Sequence, residues 1–261
     1  MNKFSLSAKV PVLLNDKVAF ITGAAKGCGA ATAIRMAASG ASVVVNYLSS
    51  EREAVELCKG IEAFGGKALA VRADMANESE AREAYRGAVA RFGKVDILVH
   101  NATPAFRSGA LADVEWTEYA TYIDVLLKGA FNISKAVLPE MAARGYGRVI
   151  SIGTTSTRTL NDSHSAYISA KEALWGLTKS IAVDYGADGI TANMVSPGLV
   201  WTDLEQSQPA DFGPEHRRRT PMGRNAEAKD IADAVLFFAS DLASFVSGTD
   251  LPVCGGFLLT R

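Results

Sequence analysis

The stretch Thr22-Gly23-Ala24-Ala25-Lys26-Gly27-Cys28-Gly29 constrains this chain more than any other, because it separates the apolar run Val18-Ala19-Phe20-Ile21 from the alanine-rich segment Ala30 to Ser39. That order predicts a strand, a glycine turn and a helix. Glycine allows a sharp turn and a close backbone approach to a ligand, and the first free N–H groups of a helix favour an anion. A phosphate is the expected occupant. The spacing Gly-x3-Gly-x-Gly differs from the Gly-x-Gly-x-x-Gly of the general dinucleotide fingerprint, so the turn alone leaves an ordinary glycine-rich strand-to-helix connection open.

The rest of the chain repeats the strand-helix unit. Strands are predicted over Ala41 to Tyr47, Lys67 to Arg72, Val95 to Val99, Arg148 to Ile152, Thr191 to Val195 and Asp250 to Val253. Helices are predicted over Glu51 to Phe64, Glu78 to Phe92, Trp116 to Met141, Ala166 to Tyr185 and Ala228 to Ser240. Continuous apolar strands joined by helices predict one α/β domain, a doubly wound parallel sheet of Rossmann type, with right-handed crossovers. Ligands of such sheets bind beyond the carboxyl ends of the strands. The residues to read together are therefore the glycine turn, Tyr47, Asp74, Asn101, Thr154 and Pro197-Gly198. Residues 1–14 read as an N-terminal extension, 15–261 as the domain, and the irregular stretch 199–225 as a substrate lid.

Bulk properties narrow the partners. With 27 Lys+Arg against 28 Asp+Glu there is no general field to draw nucleic acid or an anionic membrane. No run approaches the roughly 20 apolar residues of a spanning helix. Cys28, Cys58 and Cys254 are scattered and lack metal-ligand spacing, which fits a reducing cytoplasm and gives no reason to expect a metal.

Chemistry enters at Tyr167-Ile168-Ser169-Ala170-Lys171. Positions i and i+4 share a helix face, so phenol and ammonium can enter one cavity, where a nearby cation lowers a phenol's pKa. Tyr167 is thus a candidate general acid/base, although Tyr-x3-Lys alone also describes a common surface helix.

Taken with the glycine turn, Asn101-Ala102 and Pro197-Gly198, the motif resembles the classical short-chain dehydrogenase/reductase family, over roughly Asn15 to the C-terminus and including Pro221-Met222-Gly223-Arg224 and Val253-Cys254-Gly255-Gly256. Within it the chain looks nearest to the 3-oxoacyl-[acyl-carrier-protein] reductases. The resemblance implies hydride transfer between a nicotinamide cofactor and a carbonyl or alcohol. It gives Tyr167 the proton exchange and Lys171 the lowering of the tyrosine pKa and the hold on the nicotinamide ribose. Thr154, thirteen positions before Tyr167, stands where the family has its substrate-binding serine and keeps the hydroxyl.

The same resemblance assigns cofactor contacts to Gly23, Lys26, Gly27, Cys28 and Gly29 of the turn, to Tyr47 and Ser49 after the second strand, and to Asp74 and Met75 after the third. It adds Asn101, Ala102, Tyr167, Lys171, Pro197, Gly198 and Thr202. An acidic residue after the second strand would select NAD; here Tyr47 stands in that position and Lys26 flanks the turn, so NADP(H) is expected. Asp74 also reads as a helix cap.

Three departures from the family stand out. Leu126 replaces its catalytic asparagine and cannot carry the asparagine's part of a water relay. His100 and Thr103 replace an asparagine and a glycine, and His100 reads either as a proton shuttle or as a hydrogen-bonded structural residue. Cys28, at a helix start, reads as an apolar filler or a redox-sensitive thiol. The run Arg217-Arg218-Arg219 reads as a solvated face or as a contact for phosphopantetheine or an acidic carrier.

The expectation is a cytoplasmic NADPH-dependent reductase acting on a small-molecule or carrier-bound carbonyl, foremost a β-ketoacyl thioester, with acyl-carrier protein as a candidate partner and Arg144 as its candidate contact. An NAD(P)-dependent alcohol dehydrogenase and a weakly active nucleotide-binding subunit are the rivals. Family members commonly form tetramers or dimers, so a homo-oligomer is expected, with Leu236-Phe237-Phe238 and Phe257-Leu258-Leu259 as candidate surface.

Overall fold

The computed structural model describes residues 13–105, 109–159, 164–200 and 212–259. A seven-stranded sheet of order β3-β2-β1-β4-β5-β6-β7, parallel throughout, forms the centre. Its strands are β1 Val18–Ile21, β2 Ser42–Tyr47, β3 Lys67–Arg72, β4 Ile97–His100, β5 Gly147–Ile152, β6 Ile190–Pro197 and β7 Asp250–Val253.

Strand residues alternate strictly between two cores, as the twofold side-chain period requires. Ala19, Ile21, Val43, Val45, Ile97 and Val99 face α1 (Gly27–Ala38), α2 (Glu51–Ala63) and α9 (Ala228–Ala239). Val18, Phe20, Val44, Leu98 and Val149 face α3 (Glu78–Phe92), α5 (Gly129–Ala143) and α7 (Ser165–Asp184). Both faces are covered, so each strand reads as a continuous apolar run. Strand order reverses between β1 and β4, which opens a crevice at their carboxyl ends. Among the described residues no helix is long and apolar enough to cross a membrane.

Three boundaries differ from the sequence reading. Leu14 is a core residue, 1% exposed, and its N–H donates to Ser39 O at 2.9 Å, so the domain begins before Asn15. The helix expected over Trp116 to Met141 is α4 (Trp116–Ile123), one π-helical turn (Asp124–Lys128) and α5. The wider turn re-phases the helix. Tyr122 before it and Leu126 within it pack with α7; after it, the helix closes on Met75, where a Cβ on Gly129 would meet the Met75 Cβ at 3.2 Å and Asn132 donates to Met75 O at 2.9 Å. The stretch 199–225 is not wholly irregular: it contains α8 (Phe212–Arg219), and Val200 bridges to Ala226. The one-turn α6 (Ser156–Thr159) lies beside α7. Of the two segments expected at an oligomer surface, Leu236, Phe238 and Phe257 are buried, whereas Leu259 is 87% exposed.

Candidate active site

The crevice is an open cleft of about 1420 Å³ that runs over the carboxyl ends of the strands. At one end lies the glycine turn. Gly23 has φ +59° and passes so close to Ala102 that a Cβ would lie 2.7 Å from its Cα. A Cβ on Gly29 would lie 2.5 Å from Asn101 Nδ2 and 2.7 Å from Gly23 O. Asn101 Nδ2 donates to Thr22 O and Gly23 O at 3.0 and 2.9 Å, and the N–H groups of Asn101 and Ala102 both donate to Thr22 Oγ1. These bonds hold the ends of β1 and β4 as one surface. Helix α1 starts there with no side-chain cap and no acidic residue in its first turn, so its leading N–H groups remain suited to a phosphate. The cradle fits the diphosphate of a dinucleotide, with Gly23, Gly27, Lys26 and Cys28 lining the cleft and Gly29 supporting the turn from behind.

Replacing Gly29 with alanine is expected to displace backbone as well as the Asn101 amide. The expected cost is about 1–3 kcal/mol of stability, with loss of dinucleotide affinity. Gly87→Ala, in the interior of α3 where a Cβ meets nothing within 4 Å, is the control, with an expected gain of about 0.5–1 kcal/mol. Thermal unfolding and dinucleotide titration check both. Full binding by Gly29→Ala would show that the turn can re-form.

Tyr47, Ser49, Asp74, Met75, Asn101, Ala102, Pro197 and Gly198 all line the cleft as expected. Thr202 lies outside the described residues. Asp74 is not the helix cap: its Oδ1 accepts from Ala76 N at 2.9 Å, while Asn77 caps α3 by accepting from Ser79 N and Glu80 N. Lys26 also lines the cleft, yet its ammonium pairs with Glu53 at 3.0 Å, which holds the Glu53 carboxyl below its usual pKa.

The middle of the cleft gathers Thr154, Tyr167 and Lys171. Thr154 follows the end of β5, and its Oγ1 accepts from Ser156 N at 3.2 Å. Lys171 is 3% exposed and donates to Ile152 O, the last carbonyl of β5, at 2.6 Å. Burial pushes its ammonium down to about 8. The expected depression of the Tyr167 phenol does not occur. Burial pushes it up to about 12, the Thr154 hydrogen bond pulls it part of the way back, and Lys171 lies with its Nζ 5.6 Å from the ring centroid. Desolvation is the largest influence on the phenol, so Tyr167 holds its proton at neutral pH.

Leu126 is 2% exposed and belongs to an apolar cluster with Tyr122, Ala166 and Ala170, against which the Tyr167 ring packs. The leucine thus braces the helix that carries the phenol. His100 does not line the cleft. It is buried, its Nε2 lies 3.0 Å from Ser134 Oγ, and burial lowers its pKa to about 4, so the ring is neutral and structural. Thr103 does line the cleft. Cys28 is a partly buried thiol pushed up to about 11 by burial, which favours the apolar filler over a reactive thiolate. Arg144 lies away from the cleft, donating to Val95 O at 2.6 Å beside Asp96.

Two contributors carried no local signal in the sequence. Asn46 interrupts an apolar strand; it is 2% exposed, its Oδ1 accepts from Gly23 N at 3.2 Å and its Nδ2 donates to Ala73 O at 3.0 Å. It ties the glycine turn to the end of β3. Tyr122 meets Tyr167 edge-on, with ring centroids 6.0 Å apart.

A doubly wound sheet, a phosphate-ready glycine turn at its switch point and a half-buried tyrosine paired with a buried lysine beside a hydroxyl define a dinucleotide-binding oxidoreductase. Comparison with known proteins agrees. The profile of the family described as enoyl-(acyl carrier protein) reductase matches residues 23–258. The 3-oxoacyl-[acyl-carrier-protein] reductase FabG of Staphylococcus epidermidis is 33% identical over 94% of this chain and 100% of its own length. The cis-4-hydroxycyclohexanecarboxylate dehydrogenase of Sinomonas cyclohexanicum is 36% identical over 93% of this chain and 96% of its own. A crystal structure of a gluconate 5-dehydrogenase from Burkholderia cenocepacia, in complex with NADP and tartrate, superposes with a TM-score of 0.90 at 32% identity, covering 96% of this chain and 98% of that one. The chain belongs to the short-chain dehydrogenase/reductase family.

Proposed function

We propose that the protein is an NADPH-dependent ketoreductase, with β-ketoacyl thioesters as its first substrate class. The observation that carries this reading is the meeting of Thr154, Tyr167 and Lys171 in one cleft beside the glycine turn. NADPH, when bound, supplies hydride to the carbonyl carbon. The Thr154 hydroxyl donates to the carbonyl oxygen and fixes its position. Tyr167 gives its proton to that oxygen as negative charge develops there, so the ketone becomes an alcohol. Lys171, held by Ile152 O, presents its charge to the ribose side of the site.

Tests of turnover should follow NADPH consumption with acetoacetyl-CoA and with 4-oxocyclohexanecarboxylate, the ketone corresponding to the alcohol for which one relative is named. NADH runs in parallel. Turnover with NADPH supports the reading, and a clear preference for NADH sinks the cofactor assignment. A small carboxylate-bearing ketone is the second reading, favoured by the hydroxyl-bearing wall of Thr103, Thr121, Ser156 and Thr159.

The support for NADPH is the cation of Lys26 and the absence of an acidic side chain at Tyr47. Glu53 works against it, because its carboxylate competes with a 2′-phosphate for Lys26. Glu53→Gln is therefore expected to lower KM for NADPH by about 3–10-fold and to leave NADH unchanged. Equal changes with both cofactors would show that Glu53 acts through the fold rather than the phosphate.

A further inference from the structure

Helix α8 brings Glu215, His216 and Arg219 to the cleft, whereas Arg217 and Arg218 of the arginine run do not line it. His216 is the one of these three whose ring is set from behind by polar partners on both sides of a single nitrogen. One ring face stacks on Phe257, with centroids 4.2 Å apart and planes 18° apart. Its Nδ1 lies 3.2 Å from Asn225 Oδ1 and 3.4 Å from Thr220 Oγ1. Those partners decide which ring nitrogen carries the proton. Asn225 Nδ2 donates to Gly213 O at 3.2 Å, so the atom turned to His216 is the amide oxygen, an acceptor. Thr220 Oγ1 donates its hydrogen to His216 O at 2.9 Å and likewise meets the ring with a lone pair. Nδ1 is therefore the N–H, and Nε2 carries the lone pair.

Nε2 makes no hydrogen bond among the described residues, yet it is not one of the buried polar atoms left without a partner, so it opens to the cleft that its residue lines. Burial lowers the pKa of the ring; the Asn225 bond opposes this and the Arg219 charge adds to it, which leaves the ring neutral at neutral pH. The exposed carboxylate of Glu215, also on the cleft, is a second acceptor beside it. A lone pair held in place on a neutral ring favours a ligand that brings an O–H or N–H.

We propose that His216 Nε2 accepts a hydrogen bond from a donor on the substrate, a hydroxyl or an amide N–H, while the carbonyl of the same molecule sits at Thr154 and Tyr167. This inference rests on the ketoreductase reading and deepens it by naming a group that its substrate carries. The hydroxyl would belong to a small hydroxyketone, the amide to a pantetheine-like thioester arm.

Two matched pairs of uncharged ketones separate these sources: 4-hydroxycyclohexanone with 4-methoxycyclohexanone, and the N-acetylcysteamine thioester of acetoacetate with its N-methylated amide. His216→Phe keeps the stack on Phe257 and removes the acceptor. For whichever donor the protein uses, it is expected to raise KM about 3–10-fold with little change in kcat, and to leave the partner without the donor unaffected. His216→Gln, whose amide oxygen can stand in for the ring nitrogen, should recover part of the loss. The proposal is overturned if His216→Phe shifts both members of each pair by the same factor, which is the mark of a merely structural role, or if it shifts none. Nitrogen NMR of the labelled imidazole in the native protein gives a readout apart from turnover: Nδ1 protonated and Nε2 bare is expected, and the opposite tautomer overturns the proposal. Should no ketone turn over with NADPH or NADH, the ketoreductase reading fails on its own. The inference is then decided by the same NMR signal with NADP and each ketone. A displacement of Nε2 by a donor-bearing ketone and not by its partner supports it, and no such difference in either pair overturns it.

Discussion

Tyr167→Phe is expected to reduce kcat for ketone reduction by about 10²–10⁴-fold while leaving dinucleotide binding intact. The substitution removes one oxygen from a half-buried ring that packs against Tyr122, so the apolar cluster is retained and only the proton donor is lost. Steady-state rates and a dinucleotide titration on the same preparations separate the two effects. The pH profile of the native enzyme follows from two groups. Reduction requires the protonated phenol, present below about 12, and the charged ammonium of Lys171, present below about 8. Activity in the reductive direction should therefore hold through neutral pH and fall as pH rises through about 8. A Tyr167→Phe variant that keeps a tenth or more of the native rate would place the proton donor elsewhere in the cleft.

Leu126→Asn is expected to destabilise the protein by about 1–3 kcal/mol and to bring no gain in rate. The position invites the opposite expectation, since the family carries its catalytic asparagine there. In this chain the side chain is 2% exposed and surrounded by Tyr122, Ala166 and Ala170. An amide placed among them loses its hydration without a matching set of partners. The expected fall in Tm is about 2–4 °C per kcal/mol for a chain of this size. Calorimetry and rates with NADPH check the two halves separately. A variant as stable as the native protein and several-fold faster would show that the site accepts the amide and that leucine had limited the proton path.

The legible parts of this fold were those that local chemistry punctuates. β1, β3, α3 and β7 have the ends read from the sequence, because apolar runs or amphipathic periods stop there at glycine, aspartate or turn residues. The π-helical turn at Asp124–Lys128 has no such mark; it leads into Gly129, whose close packing involves Met75, a residue distant in the chain. In the site, Tyr167, Lys171 and the glycine turn were legible because their spacing is short and their residue types are specific. Asn46 was not, because its partners at Gly23 and Ala73 belong to other strand ends. Lys26 lines the cleft, and its pairing with Glu53 depends on where α2 begins. The direction of the Tyr167 shift was misread for a related reason. Sequence spacing shows which charge is near, whereas the depth of burial, which decides the sign here, is a property of the packed whole.

The two ends of the cleft are built in different ways. The dinucleotide end is sewn into the sheet, with Thr22, Asn46 and Asn101 joining the ends of four strands through backbone groups. Among the described residues, the far wall includes α8, which rests on the Phe257 ring and on the Asn225 side chain, whose Nδ2 donates to Gly213 O at 3.2 Å. A lineage can therefore rewrite α8 and its prop without touching a strand. A substitution in α8 would reshape that wall while leaving the hydrogen bonds that hold the glycine turn in place.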